Sequence, residues 1–315
     1  MLHPLFNAWS RGCAAVSTRG PSIPLTMNTP SAPLTHALSF DIEDWFHMVE
    51  IEAVEDPNLW PELPSLVERR TEEILTICQR ANVRGTFFVL GWVAERYPAM
   101  VKQIADAGHE LATHSYWHRK VYSLTPEEFL KDMRRSIEVI ESSSGSRVRG
   151  FRAPSFSITP GTEWAFDVLH ELGLDYDASL FPAARGHGGY GCPVQPHVFG
   201  EAPSGRPLPE LPMSIMSVGP KRVCFSGGGY LRLFPGWLIR RGVDQLASQG
   251  IPTVVYLHPR DFAPDCPRVP MPLQRRFKCY VGAKSTASKL NMLLDRYQWG
   301  TCSEVLQHSG LLEAA

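Results

Sequence analysis

The sequence has no Cys-x-x-Cys pair, although it holds seven cysteines, at positions 13, 78, 192, 224, 266, 279 and 302. An odd number at irregular spacing argues against a disulfide framework and a cysteine-based zinc site, and it suits a reducing compartment. Nowhere does the chain approach the roughly 18 consecutive apolar residues of a membrane helix, so no membrane span is expected. It also lacks a charge surplus: 31 Lys and Arg stand against 32 Asp and Glu. That balance argues against a strongly basic nucleic-acid binder, and no nucleic acid is expected as partner. The opening stretch lacks the apolar core of an export signal, because Arg11, Arg19 and several prolines interrupt it. Residues 1–33 therefore read as a disordered leader, with Met27 as an alternative start. The expected location is the cytoplasm, with the periplasm as the alternative.

What is present is a core and many turns. Hydrophobic residues make up 43% of the chain, enough for a sizeable core and too many for global disorder. The 27 prolines and 25 glycines predict frequent turns and long loops. Short apolar runs alternate with amphipathic stretches. The predicted strands are 36–40, 85–90, 110–114, 150–152, 174–176, 210–215 and 253–258, with a weaker one at 300–305. Between them the spacing predicts helices over 64–80, 125–141, 235–249 and 284–297, and one that Thr159-Pro160 starts and Gly173 ends. In the second of these, Thr125 and Glu128 form a capping-box pattern around Pro126, and Phe129, Met133 and Ile137 line one face. Alternating β and α elements predict a parallel sheet or barrel. Segments 183–209 and 259–283 break the alternation, and loops that long are usually functional or disordered.

Chemistry-bearing residues gather at the ends of these strands. Ser39-Phe40-Asp41-Ile42-Glu43-Asp44-Trp45 brings three carboxylates to the carboxyl end of the first strand, where barrel enzymes collect catalytic groups. His114 and His118 are four residues apart, a spacing that on a helical turn puts two imidazoles on one face and suits a divalent metal. Asp44 or Glu43 would complete a two-histidine, one-carboxylate site with an open position; Asp44 is favoured. His109, on an adjacent turn, reads as structural. Arg152, in Gly150-Phe151-Arg152-Ala153-Pro154-Ser155, is costly to bury unless paired, and Asp41 is the expected partner. His258 ends the apolar run Thr253–Leu257 and is placed for proton transfer, with Asp177 as the residue expected to orient it and raise its pKa. Trp45, Trp92, Trp117, Tyr230 and Trp237 offer faces on which a sugar could stack. Trp45 and Trp117 lie inside the motifs.

These five segments, in this order, resemble the polysaccharide deacetylases of carbohydrate esterase family 4. The stretch from Thr86 to Gly91, TFFVLG, and the run Gly108–His118, GHELATHSYWH, look very like that family. Gly227–Arg232, His258–Phe262 and Phe277–Val281 resemble a bacterial subgroup tied to exosortase and exopolysaccharide gene clusters. The resemblance covers residues 36–310. It implies an α/β fold, a distorted (β/α)7 barrel, over 34–265, with a carboxyl-terminal extension over 266–315 packed on it. It implies one divalent ion, zinc first, and hydrolysis of N-acetyl groups from an amino-sugar glycan.

Carried over position by position, Asp41 is the base, His114 and His118 bind metal, Arg152 orients Asp41, Asp177 tunes His258 and His258 is the acid. The backbone N–H of Ser155 would help hold the oxyanion. Two departures stand out. Ile42 follows Asp41 where the family usually has a second aspartate, and Ser155 follows Pro154 where it usually has an aromatic. A cyclic amide or ureide hydrolase on the same fold, or a silent carbohydrate-binding protein, are the alternatives.

Overall fold

Thr35–Ile42 forms β1, and from His36 onward every residue of it is buried. That is the mark of a parallel strand covered on both faces. The computed structural model of the protein describes residues 33–183 and 188–314. The leader expectation and Met27 lie outside them.

The other strands are β2 (Thr86–Val89), β3 (Glu110–Thr113), β4 (Gly150–Phe151), β5 (Tyr176–Asp177), β6 (His197–Phe199), β7 (Leu208–Glu210), β8 (Ile215–Val218), β9 (Lys221–Cys224), β10 (Val254–Leu257) and β11 (Gln298–Gly300). In space the main sheet runs β10-β1-β2-β3-β4-β5-β7-β6. Seven of these, from β10 to β7, pair in parallel with their neighbours. They are the strands of the expected distorted (β/α)7 barrel. Strand β6 adds antiparallel to β7, and β11 pairs with the start of β1. Between β7 and β10, Ser214 Oγ accepts the Val254 N–H at 2.8 Å and Gly227 bridges to Tyr256. Gly227 permits that approach: a Cβ there would fall 1.8 Å from the Tyr256 ring.

The helix Pro126–Ser144 follows its sequence signals closely. Thr125 Oγ1 accepts from the Glu128 N–H, Glu128 accepts from the Thr125 N–H, and Gly145 closes the helix in a left-handed conformation. Phe129, Met133 and Ile140 face the core. Thr125→Ala is expected to cost about 1 kcal/mol of stability, read as a lowered urea midpoint at unchanged slope.

Three predicted elements differ. The strand expected over 210–215 is absent: β7 ends at Glu210, β8 starts at Ile215, and 211–214 belong to neither. The strand expected over 300–305 is β11 up to Gly300 followed by the helix Cys302–His308, because Thr301 and Glu304 form a second capping box. The helix expected from Thr159 begins at Trp164. Thr159–Thr162 instead forms a turn, with Thr162 Oγ1 bonding both the N–H and the carbonyl of Thr159.

Candidate active site

Strand parity decides which carboxylates of the first motif reach the barrel mouth. Side chains two apart on a strand share a face. Ser39 and Asp41 both contact the Arg152 guanidinium, at 2.9 and 2.7 Å from Nη1, and Glu43, just past the end of β1, lines the same cavity as Asp41. Asp44 points the other way. It caps the following turn, accepting from Trp45 N–H, and it accepts from Ser65, Leu66 and Val67. Burial pushes its carboxyl above the ordinary range despite those bonds. The favoured metal carboxylate, Asp44, is thus engaged in structure, and Glu43, its alternative, stands in the site. Glu43, His114 and His118 each bring a ligand atom to within 4.8 Å of the others.

The residue types fit a divalent ion such as zinc, which takes nitrogen and carboxylate oxygen. His114 Nδ1–H donates to the Arg152 carbonyl at 2.7 Å, which leaves Nε2 as the free nitrogen. Burial brings the His114 pKa down to about 4, so the imidazole is neutral at pH 7. Glu43 Oε2 lies 2.6 Å from His118 Nε2. Burial opposes ionisation of Glu43, but His118, then Arg260 and His258, hold its carboxyl well below the usual range.

The histidine pair is not on a helix. His114 follows β3 and His118 ends a loop in which Ser115 and His118 both have positive φ, 67° and 57°. The loop is fastened to the helix Pro126–Ser144. Asp132 accepts from the Tyr116 and Trp117 N–H groups, and Ser136 Oγ donates to the Ser115 carbonyl. The result is still two imidazoles close together, ring centroids 5.1 Å apart.

Arg152 is fully buried, its Nε donating to the Ala178 carbonyl and its guanidinium lying 4.0 Å over the Phe88 ring. Its pairing with Asp41 is the one the sequence predicts. The partner of His258 is not. Asp177 accepts from Ser179 N–H and Oγ–H, and Ser179 Oγ in turn accepts from the Ala153 N–H. Burial, and for Glu210 the Asp177 charge beside it, raises both carboxyls. Asp177 therefore braces the Ala153–Ser155 turn.

His258 is oriented by Asp261. Its Nδ1–H donates to Asp261 Oδ2 at 2.8 Å, and its Nε2 faces Asp41 Oδ2 at 3.7 Å and Glu43 Oε1 at 3.9 Å. Arg232 anchors Asp261 from behind at 2.8 Å. Burial would raise the Asp261 carboxyl, but Arg232 and His258 hold it below the ordinary range. Asp261 is the residue the sequence reading missed. Its signal was local: it lies three residues after His258, across Pro259, where its carboxylate also takes the His258 N–H.

Asp41, Glu43, His114, His118, Ser155 and His258 line one cavity of about 560 Å³. Ser155 reaches it in a left-handed conformation, φ 57°. Trp117 lines an adjoining cavity of about 710 Å³, which shares Met48, Val49 and His118 with the first. Trp45 does not face a ligand: it is 2% exposed and its Nε1–H donates to the Pro64 carbonyl. Trp92 is buried too, whereas Trp237 is 61% exposed.

A curled parallel barrel with a carboxylate and two histidines at its mouth is a barrel with a candidate metal site, and comparison with known proteins narrows the class. The polysaccharide deacetylase family model matches residues 59–176, and a domain of unknown function, DUF3473, matches 178–307. Residues 59–176 thus match the polysaccharide deacetylase family.

Over 119 residues it is 32% identical to the peptidoglycan-N-acetylglucosamine deacetylase of Bacillus cereus, covering 34% of this chain and 43% of that one. Over 109 residues it is 34% identical to a peptidoglycan deacetylase-like protein of Gibberella zeae, covering 34% of this chain and 31% of that one. The chain thus spans less than half the length of these relatives. A candidate polysaccharide deacetylase from Mycobacterium smegmatis has the same fold, with a TM-score of 0.58 at 19% identity over 91% of this chain and 97% of that one.

Proposed function

We propose that the protein hydrolyses N-acetyl groups from an amino-sugar polysaccharide or its precursor, with exopolysaccharide as the polymer served. The observation that carries this reading is the convergence of a base, an acid and three metal-type ligands on one cavity. Glu43, His114 and His118 would hold the ion, zinc first. When bound, the ion supplies Lewis acidity toward the acyl oxygen and lowers the pKa of water beside it.

The chain's own groups do the rest. Asp41, aimed by Arg152, accepts the proton of the attacking water. The Ser155 N–H, set by the turn that Asp177 and Ser179 brace, donates to the oxygen that gains charge as the acetyl carbon becomes tetrahedral. His258 gives its Nε2 proton to the departing amine as the C–N bond breaks. Acetate and a free amino sugar are the products. The histidine pair and Glu43 favour this reading over a metal-free cyclic amide hydrolase.

The test is acetate release from chitooligosaccharides, peptidoglycan fragments and lipid- or nucleotide-linked N-acetyl amino sugars. Chelation is expected to abolish release and added zinc to restore it. Full activity after exhaustive chelation would overturn the metal role, and no release from any N-acetylated glycan would overturn the reaction.

Asp261 gives a second prediction. Asp261→Asn removes the carboxylate that takes the His258 Nδ1–H and frees the ring to turn. The expected result is a fall in kcat of about 10–100-fold with KM little changed. A purely structural role would lower the thermal midpoint and leave kcat of the folded protein in place.

A further inference from the structure

One face beside the cavity combines cations with exposed apolar side chains. Residues 211–243 hold five Lys or Arg and residues 266–294 hold six, and neither stretch contains an Asp or Glu. In a chain of net charge −1 this is a marked separation. Arg232 is spent on Asp261, and Arg275 lies 3.6 Å from Glu50. Arg241, Arg268, Arg276, Lys278 and Lys284 are exposed.

The same two stretches carry Val218, Tyr230, Leu233, Trp237, Leu273 and Phe277, six of the nine large apolar side chains exposed among the described residues. Leu273 is 81% exposed and Phe277 56%, and they stand one turn apart on the helix Leu273–Tyr280, which buries no residue. Arg275, Arg276 and Lys278 flank them on that helix. The two stretches are tied together, since Arg232 donates to the carbonyls of Lys278, Cys279 and Val281. Tyr230, Leu233, Phe277 and Lys278 also line the catalytic cavity.

We propose that this face lies on an anionic lipid bilayer, with the cavity mouth at the membrane surface. Short helices with an aromatic and aliphatic face and a Lys- and Arg-rich flank seat their apolar side at the headgroup boundary, and anionic lipid adds electrostatic attraction. Exposed Leu233 and Leu273 fit hydrocarbon better than they fit a soluble acidic glycan, which offers nothing for an aliphatic side chain to bury against. No helix among the described residues is long and apolar enough to cross a membrane, so the contact is peripheral. A bilayer there would present an amino sugar linked to lipid directly to the cavity.

The test is co-sedimentation of the full chain with vesicles of phosphatidylglycerol and phosphatidylcholine, and of phosphatidylcholine alone. Binding is expected to the anionic vesicles only, weakened by salt. Two variants at exposed positions separate the contributions: Leu273→Asp with Trp237→Asp, and Arg276→Glu with Lys278→Glu. Each is expected to lose at least about tenfold in vesicle affinity while keeping the circular dichroism of the parent. Equal binding to neutral vesicles, unchanged binding by both variants, or retention on a soluble acidic polysaccharide without vesicle binding would overturn the proposal. The assay reads no acetate, so its outcome is independent of the deacetylase reading.

Discussion

Asp41→Asn is expected to lower kcat for acetate release by about 10²–10⁴-fold and to leave the bound metal at its parental level. The substitution removes the base and keeps its shape. Arg152 Nη1, which donates to Asp41 Oδ1 at 2.7 Å, can still donate to the asparagine oxygen. Arg152 is fully buried, so loss of its carboxylate partner carries a stability cost that must be read separately. A thermal midpoint and a metal assay on the same sample distinguish the two effects. A variant that is folded, metal-loaded and slow supports Asp41 as the base. One that is folded, metal-loaded and fast removes it from the mechanism.

Neighbouring carboxylates give the second large expectation, because they do opposite things. Glu43→Gln keeps side-chain volume and removes the carboxylate that, among the described residues, groups with His114 and His118. Metal affinity is expected to fall by more than the about 10–100-fold typical of losing an outer partner of a metal ligand. Asp44→Ala is expected to keep metal and lose stability. It strips the acceptor from the Trp45, Leu66 and Val67 N–H groups and the Ser65 hydroxyl. Each donor left unsatisfied in a buried setting costs about 1–3 kcal/mol. Equilibrium dialysis with zinc and a urea melt on both variants check the contrast; the reverse pattern would restore Asp44 to the metal.

The sequence carries this distinction in a form that motif matching misses. In β1 the parity of Ser39 and Asp41 places both against Arg152, Glu43 follows just past the strand's end and lines the cavity, and Asp44 turns away to the Leu66 and Val67 N–H groups. The Ile42 that interrupts the family's usual pair of aspartates is the residue on the opposite face, fully buried in the core. Much of the barrel is legible: β2 and β10 are short, largely apolar runs, TFFV and VVYL, and Thr125, Glu128 and Gly145 mark the ends of one helix.

What the residues do not show is non-local. Nothing in the sequence joins Arg232 to Asp261 or Asp177 to Glu210, since both pairings depend on how loops fold over the barrel mouth. The expectation that Asp177 orients His258 failed on this point, whereas Asp261, three residues along, could have been weighed from the tight turn at Pro259. The helical reading of His114 and His118 gave the right neighbours by the wrong geometry. A loop with two positive-φ residues, pinned by Asp132 and Ser136, replaces the turn of helix.

The most direct measurement of the central claim is anomalous diffraction at the zinc edge from crystals of the zinc-loaded protein. The account predicts one strong peak bounded by the Glu43 carboxylate and the His114 and His118 imidazoles, with Asp41 and His258 facing it across the cavity. A peak on Asp44, or none at this cluster in protein that releases acetate, would contradict it.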